Sequence, residues 1–132
     1  MLGGWDTDKY TGDIEWHDVT KRLFWSMKLD DIKVGGKSTG FCTRSGANCT
    51  VTPDSGTSLL TFPGEHNTIF QNYYGGKTDC IEGEELQFPE LTYVIGGIDY
   101  VVPSHHWVRR KIDKDSSKGG VCENSITALG VG

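Results

Sequence analysis

Hydrophobic and polar positions alternate with a period of two over much of this chain, and paired glycines interrupt the alternation. Residues Tyr10 to Trp16 alternate after a turn. In Leu23 to Leu29, residues Leu23, Trp25, Met27 and Leu29 share one face, so both runs read as strands. The stretch Lys33-Val34-Gly35-Gly36-Lys37 predicts a hairpin turn. Glu90 to Ile95 and Ile98 to Val102 flank Gly96-Gly97, a two-residue loop where glycine supplies positive φ without steric cost. Helical spacing is confined to Phe62, His66, Ile69, Phe70 and Tyr73, which predicts a helix from Gly64 to Tyr74 ended by Gly75-Gly76. Ser104 to Arg110 reads as one further helical turn after Pro103. Asp113 to Gly120 is polar and glycine-terminated, hence an exposed loop. The pattern predicts an all-β fold of antiparallel sheets with one or two short helices.

Length and charge narrow the possibilities. A chain of 132 residues is one domain's worth, long enough for a real core. Thirteen basic against eighteen acidic residues leave a net charge of −5 with no extended basic run, which argues against nucleic acid as a partner. Arg109-Arg110-Lys111 is too brief to imply phosphate binding. No apolar stretch approaches the roughly 20 residues of a membrane span. Met1-Leu2-Gly3-Gly4 has neither the charged region nor the apolar core of a secretory leader, so the sequence is expected to be cut from a longer protein.

Cys42, Cys49, Cys80 and Cys122 contain no C-x-x-C pair of the kind that zinc and redox sites favour. A disulfide framework in an oxidising compartment is the better reading. Four cysteines allow three pairings, of which the short 42–49 spacing favours Cys42–Cys49 with Cys80–Cys122. Asn48-Cys49-Thr50 is a glycosylation sequon and makes Asn48 a candidate acceptor.

The candidate chemistry lies in Val51-Thr52-Pro53-Asp54-Ser55-Gly56-Thr57-Ser58, where one carboxylate sits in a turn of small residues. Gly56 lets a backbone approach, the Thr57 hydroxyl can donate to the carboxylate, and Ser55 can tie the loop to a neighbour. A carboxylate so held becomes an acid or base when a second ionisable group tunes it. As a bare tripeptide, Asp-Ser-Gly is equally a common turn in which the Asp side chain caps its own backbone.

The surrounding sequence resembles the C-terminal lobe of the pepsin-like aspartic peptidases. Asp54-Ser55-Gly56-Thr57-Ser58 is similar to the second active-site loop of that family, and Leu59-Leu60-Thr61-Phe62-Pro63 to the strand and proline that follow it. Leu2-Gly3-Gly4-Trp5-Asp6 with Tyr10-Thr11-Gly12 resembles another family segment, and Phe24-Trp25-Ser26-Met27 a family strand. Cys42 and Cys49 fall where the family has a small disulfide loop before the aspartate, and Cys80 and Cys122 bracket Phe88-Pro89-Glu90-Leu91 as its larger disulfide does. The resemblance runs from about Leu2 to Leu129.

It implies that residues 1–132 are one lobe of a bilobal acid protease, truncated before its final strands and lacking the N-terminal lobe. It further implies an aspartic endopeptidase in which Asp54 is the second catalytic aspartate. Two such carboxyls share one proton because both cannot readily ionise together, and a water between them attacks the peptide bond. By the same resemblance Ser55 links the two loops, Gly56 meets the substrate backbone, Thr57 bonds the catalytic carboxyl, and Thr52 and Phe24 help wall the primed-side pockets. No cofactor and no metal is implied. The partners implied are a polypeptide substrate, the N-terminal lobe of the same protein and pepstatin-like inhibitors, in a secreted or endolysosomal or vacuolar setting.

The chain also departs from the family. It holds no second Asp-Thr/Ser-Gly, it ends before the segment that braces the loop, and Thr52-Pro53 replaces two apolar residues. Alone it is expected to be inactive. A homodimeric retroviral-type peptidase and a noncatalytic binding protein of the same fold are the competing readings. His105-His106 and Trp16-His17-Asp18 read as surface packing and a strand end, and Asp30-Asp31 and Glu84-Glu85 as solvated charge pairs.

Overall fold

The computed structural model describes residues 2–44, 49–64 and 78–129. Two glycine pairs build its largest sheet. Gly35 and Gly36 have φ of 54° and 77°, and Gly96 and Gly97 have φ of 60° and 78°, the left-handed pair that a tight two-residue hairpin loop requires. Strand β2 (Asp31–Val34) therefore returns as β3 (Lys37–Ser38), after a short β1 (Met27–Lys28). Likewise β7 (Leu91–Ile95) returns as β8 (Ile98–Val102). Antiparallel pairing sets Ile32 opposite Tyr93 and Val34 opposite Leu91, joining the hairpins in the order β3-β2-β7-β8. Alternation turns Ile32 and Val34 inward, as a one-sided sheet demands.

A second sheet holds β6 (Thr78–Asp79), β10 (Gly120–Asn124) and β9 (Val108–Ile112) in that order, all antiparallel. The Cys80–Cys122 disulfide ties its centre to the chain leaving β6, and Cys42–Cys49 closes the segment after helix α1 (Phe41–Arg44). Both bridges are those expected from the spacing. Among the described residues Trp107, Leu91, Ile32, Cys80 and Cys122 are the most deeply buried, and Phe88 meets Trp107 edge-on. The all-β reading therefore holds, with one addition: β5 (Leu60–Pro63) and β11 (Ile126–Leu129) pair in parallel.

Several local expectations differ from the structure. Residues 10–16 form no strand, and Ile14 and Trp16 are exposed. Alternation creates a face, but a strand also needs a ladder, and among the described residues nothing pairs with this run. The run Leu23 to Leu29 is a strand only at Met27–Lys28. Before it the chain turns, closed by the Thr20 amide donating to the Ser26 carbonyl at 2.7 Å. The turn leaves Leu23 84% and Trp25 76% exposed rather than sharing a buried face with Leu29. The helical turn at Ser104 is a 3₁₀ turn over Ser104–His106, and the chain is extended again from Val108. The expected helix from Gly64 to Tyr74 lies outside the described residues beyond Gly64, as does the sequon residue Asn48.

The charge pairs are also more than solvated. Asp30 accepts the Gly97 amide at 3.0 Å and pairs with Lys28 at 3.1 Å, so it fastens β1 to the β7–β8 loop. Asp31 caps the Ile32 amide. Glu84 takes Lys118 and the Ile81 amide, while Glu85 accepts from Gly83. His17 is no strand end; it meets Tyr100, on β8. Arg110, on β9, turns its guanidinium to the carbonyls of Cys80 and Gly119, and Lys111 pairs with Glu123.

Candidate active site

The candidate loop begins where a short ladder ends. Strand β4 (Thr50–Val51) pairs antiparallel with β1, Met27 facing Val51 and Lys28 facing Thr50. The Leu29 amide donates to the Cys49 carbonyl at 2.9 Å. In an antiparallel pair hydrogen-bonded and non-hydrogen-bonded positions alternate, which makes Ser26 and Thr52 a non-hydrogen-bonded pair and Trp25 with Pro53 the next hydrogen-bonding position. Proline has no N–H to give there. The ladder stops, and the chain turns at Ser55-Gly56 with Asp54 at its entry.

Asp54 is exposed, and its Oδ1 accepts the Gly56 amide at 2.8 Å. This bond orients one carboxyl edge and leaves the group facing solvent. A Cβ on Gly56 would lie 3.2 Å from that same oxygen, a tight approach that the glycine avoids. Ser55 and Thr57 are exposed beside it. Thr52 is held by a side-chain contact, its Oγ1 lying 2.7 Å from the Oγ of Ser26. Phe24 is 60% exposed at the turn that Ser26 closes. Ser26 itself is buried at 4% exposure, and the Phe24–Met27 motif that contains it assigned it no role. Continuing the β1–β4 register by one pair would have pointed to it.

Downstream support comes from β5. Its first residue, Leu60, donates its amide to the Ser125 carbonyl at 2.8 Å, and the Ser125 amide donates to the Trp107 carbonyl at 2.7 Å. The parallel register sets Ile126 opposite Leu60 and Ala128 opposite Phe62. The strand leaving the aspartate loop is thus tied to Trp107, one of the most buried of the described residues. Phe62 also meets Phe41 edge-on at 5.8 Å between ring centroids.

The family model for eukaryotic aspartyl proteases matches residues 1–130, a span that includes the loop, both strands flanking it and all four cysteines. The chain belongs to the eukaryotic aspartyl protease family. Among curated members, it is similar to gastricsin of Callithrix jacchus, 31% identical over 82% of this chain and 29% of that protein. It is similar to human gastricsin at 30% identity over 82% of this chain and 29% of that protein. Cathepsin E-A of Xenopus laevis is 28% identical over 99% of this chain and 32% of its own length. The chain therefore spans about a third or less of the aspartyl proteases it matches.

Within this aspartyl protease chain the structure brings Asp54 and Gly56 into contact, sets Ser55 and Thr57 beside them, and couples Thr52 to Ser26. Cys42 and Cys49 close a bridge just before β4, and Cys80 and Cys122 brace the opposite sheet. Among the described residues, no helix is long and apolar enough to cross a membrane.

Proposed function

We propose that this chain is the C-terminal lobe of an aspartic endopeptidase and supplies Asp54 as one of two carboxyls that activate a water for peptide-bond hydrolysis. The observation that carries the reading is the exposed carboxylate of Asp54, held by the Gly56 amide on a loop whose exit strand is anchored to the core. A second carboxyl brought opposite would raise the cost of ionising both, so the pair would keep one proton near acid pH. The ionised member then takes a proton from the water, and the protonated member hydrogen-bonds the developing oxyanion. Asp54 is poised for this because nothing described covers it from the solvent side.

Ser55, Gly56 and Thr57 take supporting roles in this reading. Their small side chains let a second loop and the substrate backbone approach, and Phe24 offers exposed apolar surface on the turn that Ser26 closes. The substrate is a polypeptide. Two disulfides suit a secreted or endolysosomal lumen.

The test is Asp54→Asn in the full-length protein, assayed on an unfolded protein at acid pH. Loss of nearly all turnover is expected, with the fold intact by circular dichroism. Unchanged turnover would remove Asp54 from the chemistry and favour a binding role for the fold.

A further inference from the structure

We infer that Ser26 is a positioning residue for the Asp54 loop, acting through the hydroxyl of Thr52. This rests on the reading of Asp54 given above and deepens it. Thr52 and Pro53 connect β4 to the aspartate, and Pro53 cannot donate the ladder bond that would otherwise hold this connection to Trp25. The backbone ladder therefore ends at Val51, three residues short of the carboxylate. Beyond it, the described cross-strand tie is the 2.7 Å contact between Ser26 Oγ and Thr52 Oγ1, at the position that continues the register Met27 with Val51 and Lys28 with Thr50. Cross-strand hydroxyl pairs of this kind join strands where backbone bonds are not available.

Ser26 can bear this role because it is itself held. It is buried at 4% exposure, and its carbonyl accepts both the Thr20 amide at 2.7 Å and the Thr20 hydroxyl at 3.0 Å. Those bonds close the turn that exposes Phe24 and Trp25. One buried serine thus ties an aromatic turn to the residue two before Asp54. The fixed φ of Pro53 removes one of the backbone torsions between Thr52 and the aspartate. A displacement at Thr52 becomes a displacement of the carboxyl, and small errors of placement are costly to catalysis.

Measurements on the full-length protease should separate positioning from simple support of the fold. Ser26→Ala and Thr52→Val each remove one hydroxyl, and each is expected to lower kcat about tenfold; in Ser26→Ala, which alters no pocket-wall residue, KM should change less than about twofold. Thr52→Ser keeps the hydroxyl and is expected to retain at least half of the activity. The double variant should be no worse than either single, because both break the same contact. Rates are referred to the fraction of molecules that bind a pepstatin-like inhibitor, which removes unfolded protein from the comparison. The inference is overturned if kcat per competent molecule is unchanged in Thr52→Val, or if the two single effects simply multiply in the double variant. Asp54→Asn run in parallel keeps the two claims apart: an active Asp54→Asn protein removes the catalytic reading, whereas an inactive one beside an unaffected Thr52→Val removes only the role of Ser26.

Discussion

The Nε2 of His17 lies 2.6 Å from the hydroxyl oxygen of Tyr100, across 83 positions of sequence, and the two rings meet edge-on with centroids 5.6 Å apart. This contact fastens a segment without strand pairing to the β7–β8 hairpin. Three residues on, Thr20 opens the turn closed by Ser26, and Ser26 in turn contacts Thr52, two residues before Asp54.

Tyr100→Phe removes the hydroxyl and keeps the ring. Loss of one partly buried hydrogen bond is expected to cost about 0.5–1.5 kcal/mol, and its effect should be local. Amide exchange and limited proteolysis should quicken between residues 10 and 20, while the β2–β7 ladder stays protected. Equal quickening in both regions would show that His17 holds no separate segment.

Gly96 and Gly97 make a paired test of this contact. Both have positive φ, so alanine at either is expected to cost about 1–2 kcal/mol of backbone strain. At Gly96 the added Cβ also meets the His17 ring, 3.2 Å from Nδ1, whereas at Gly97 nothing lies within 4 Å. Gly96→Ala should therefore have the lower denaturation midpoint of the two. Matching midpoints would mean that the ring moves aside without cost.

Three of the described carboxylates should contribute to acid lability. The Gly97 amide, then Lys28, holds Asp30 below the usual carboxylate range, the Ser117 hydroxyl does the same for Asp79, and Lys118 for Glu84. A folded-state pKa below the unfolded one means that the unfolded chain binds protons first on acidification. The stability these groups supply is complete above about pH 5 and drains as pH falls through their folded values. Thermal midpoints between pH 6 and pH 2 should fall, and Asp30→Asn should shrink that fall. An identical acid slope in the variant would remove Asp30 from the effect.

At the alkaline end the sign reverses. Burial pushes the Tyr93 hydroxyl up to about 12, so the stability kept below about pH 10 is lost as pH rises through the folded value. Tyr93→Phe should flatten the alkaline limb of the same profile, and a limb that stays as steep would assign it to other groups.

The two bridges should contribute unequally. Cys80–Cys122 closes a separation of 42 residues and Cys42–Cys49 one of 7, so chain entropy predicts losses of about 4 and about 2 kcal/mol when each pair is replaced by alanine. Chemical denaturation of the two paired variants measures this. A reversed order would place the larger share of stabilisation in native contacts of the 42–49 loop.

The paired glycines at 35–36 and 96–97, the Cys42–Cys49 pairing and the ordered family motifs were legible in the sequence, because positive φ, short loop closure and small-residue turns are set by residues close together in the chain. The alternation at Tyr10–Trp16 and Leu23–Leu29 misled for the complementary reason: periodicity names a face but not the strand that must supply its hydrogen bonds. The Asp54 loop was legible as a motif, yet its anchorage was not. The parallel pairing of β5 with β11, the burial of Ser26 against Thr52 and the clasp of His17 on Tyr100 join residues 26 to 83 positions apart. Such contacts depend on which surfaces meet once the sheets have packed, and tertiary structure alone decides that.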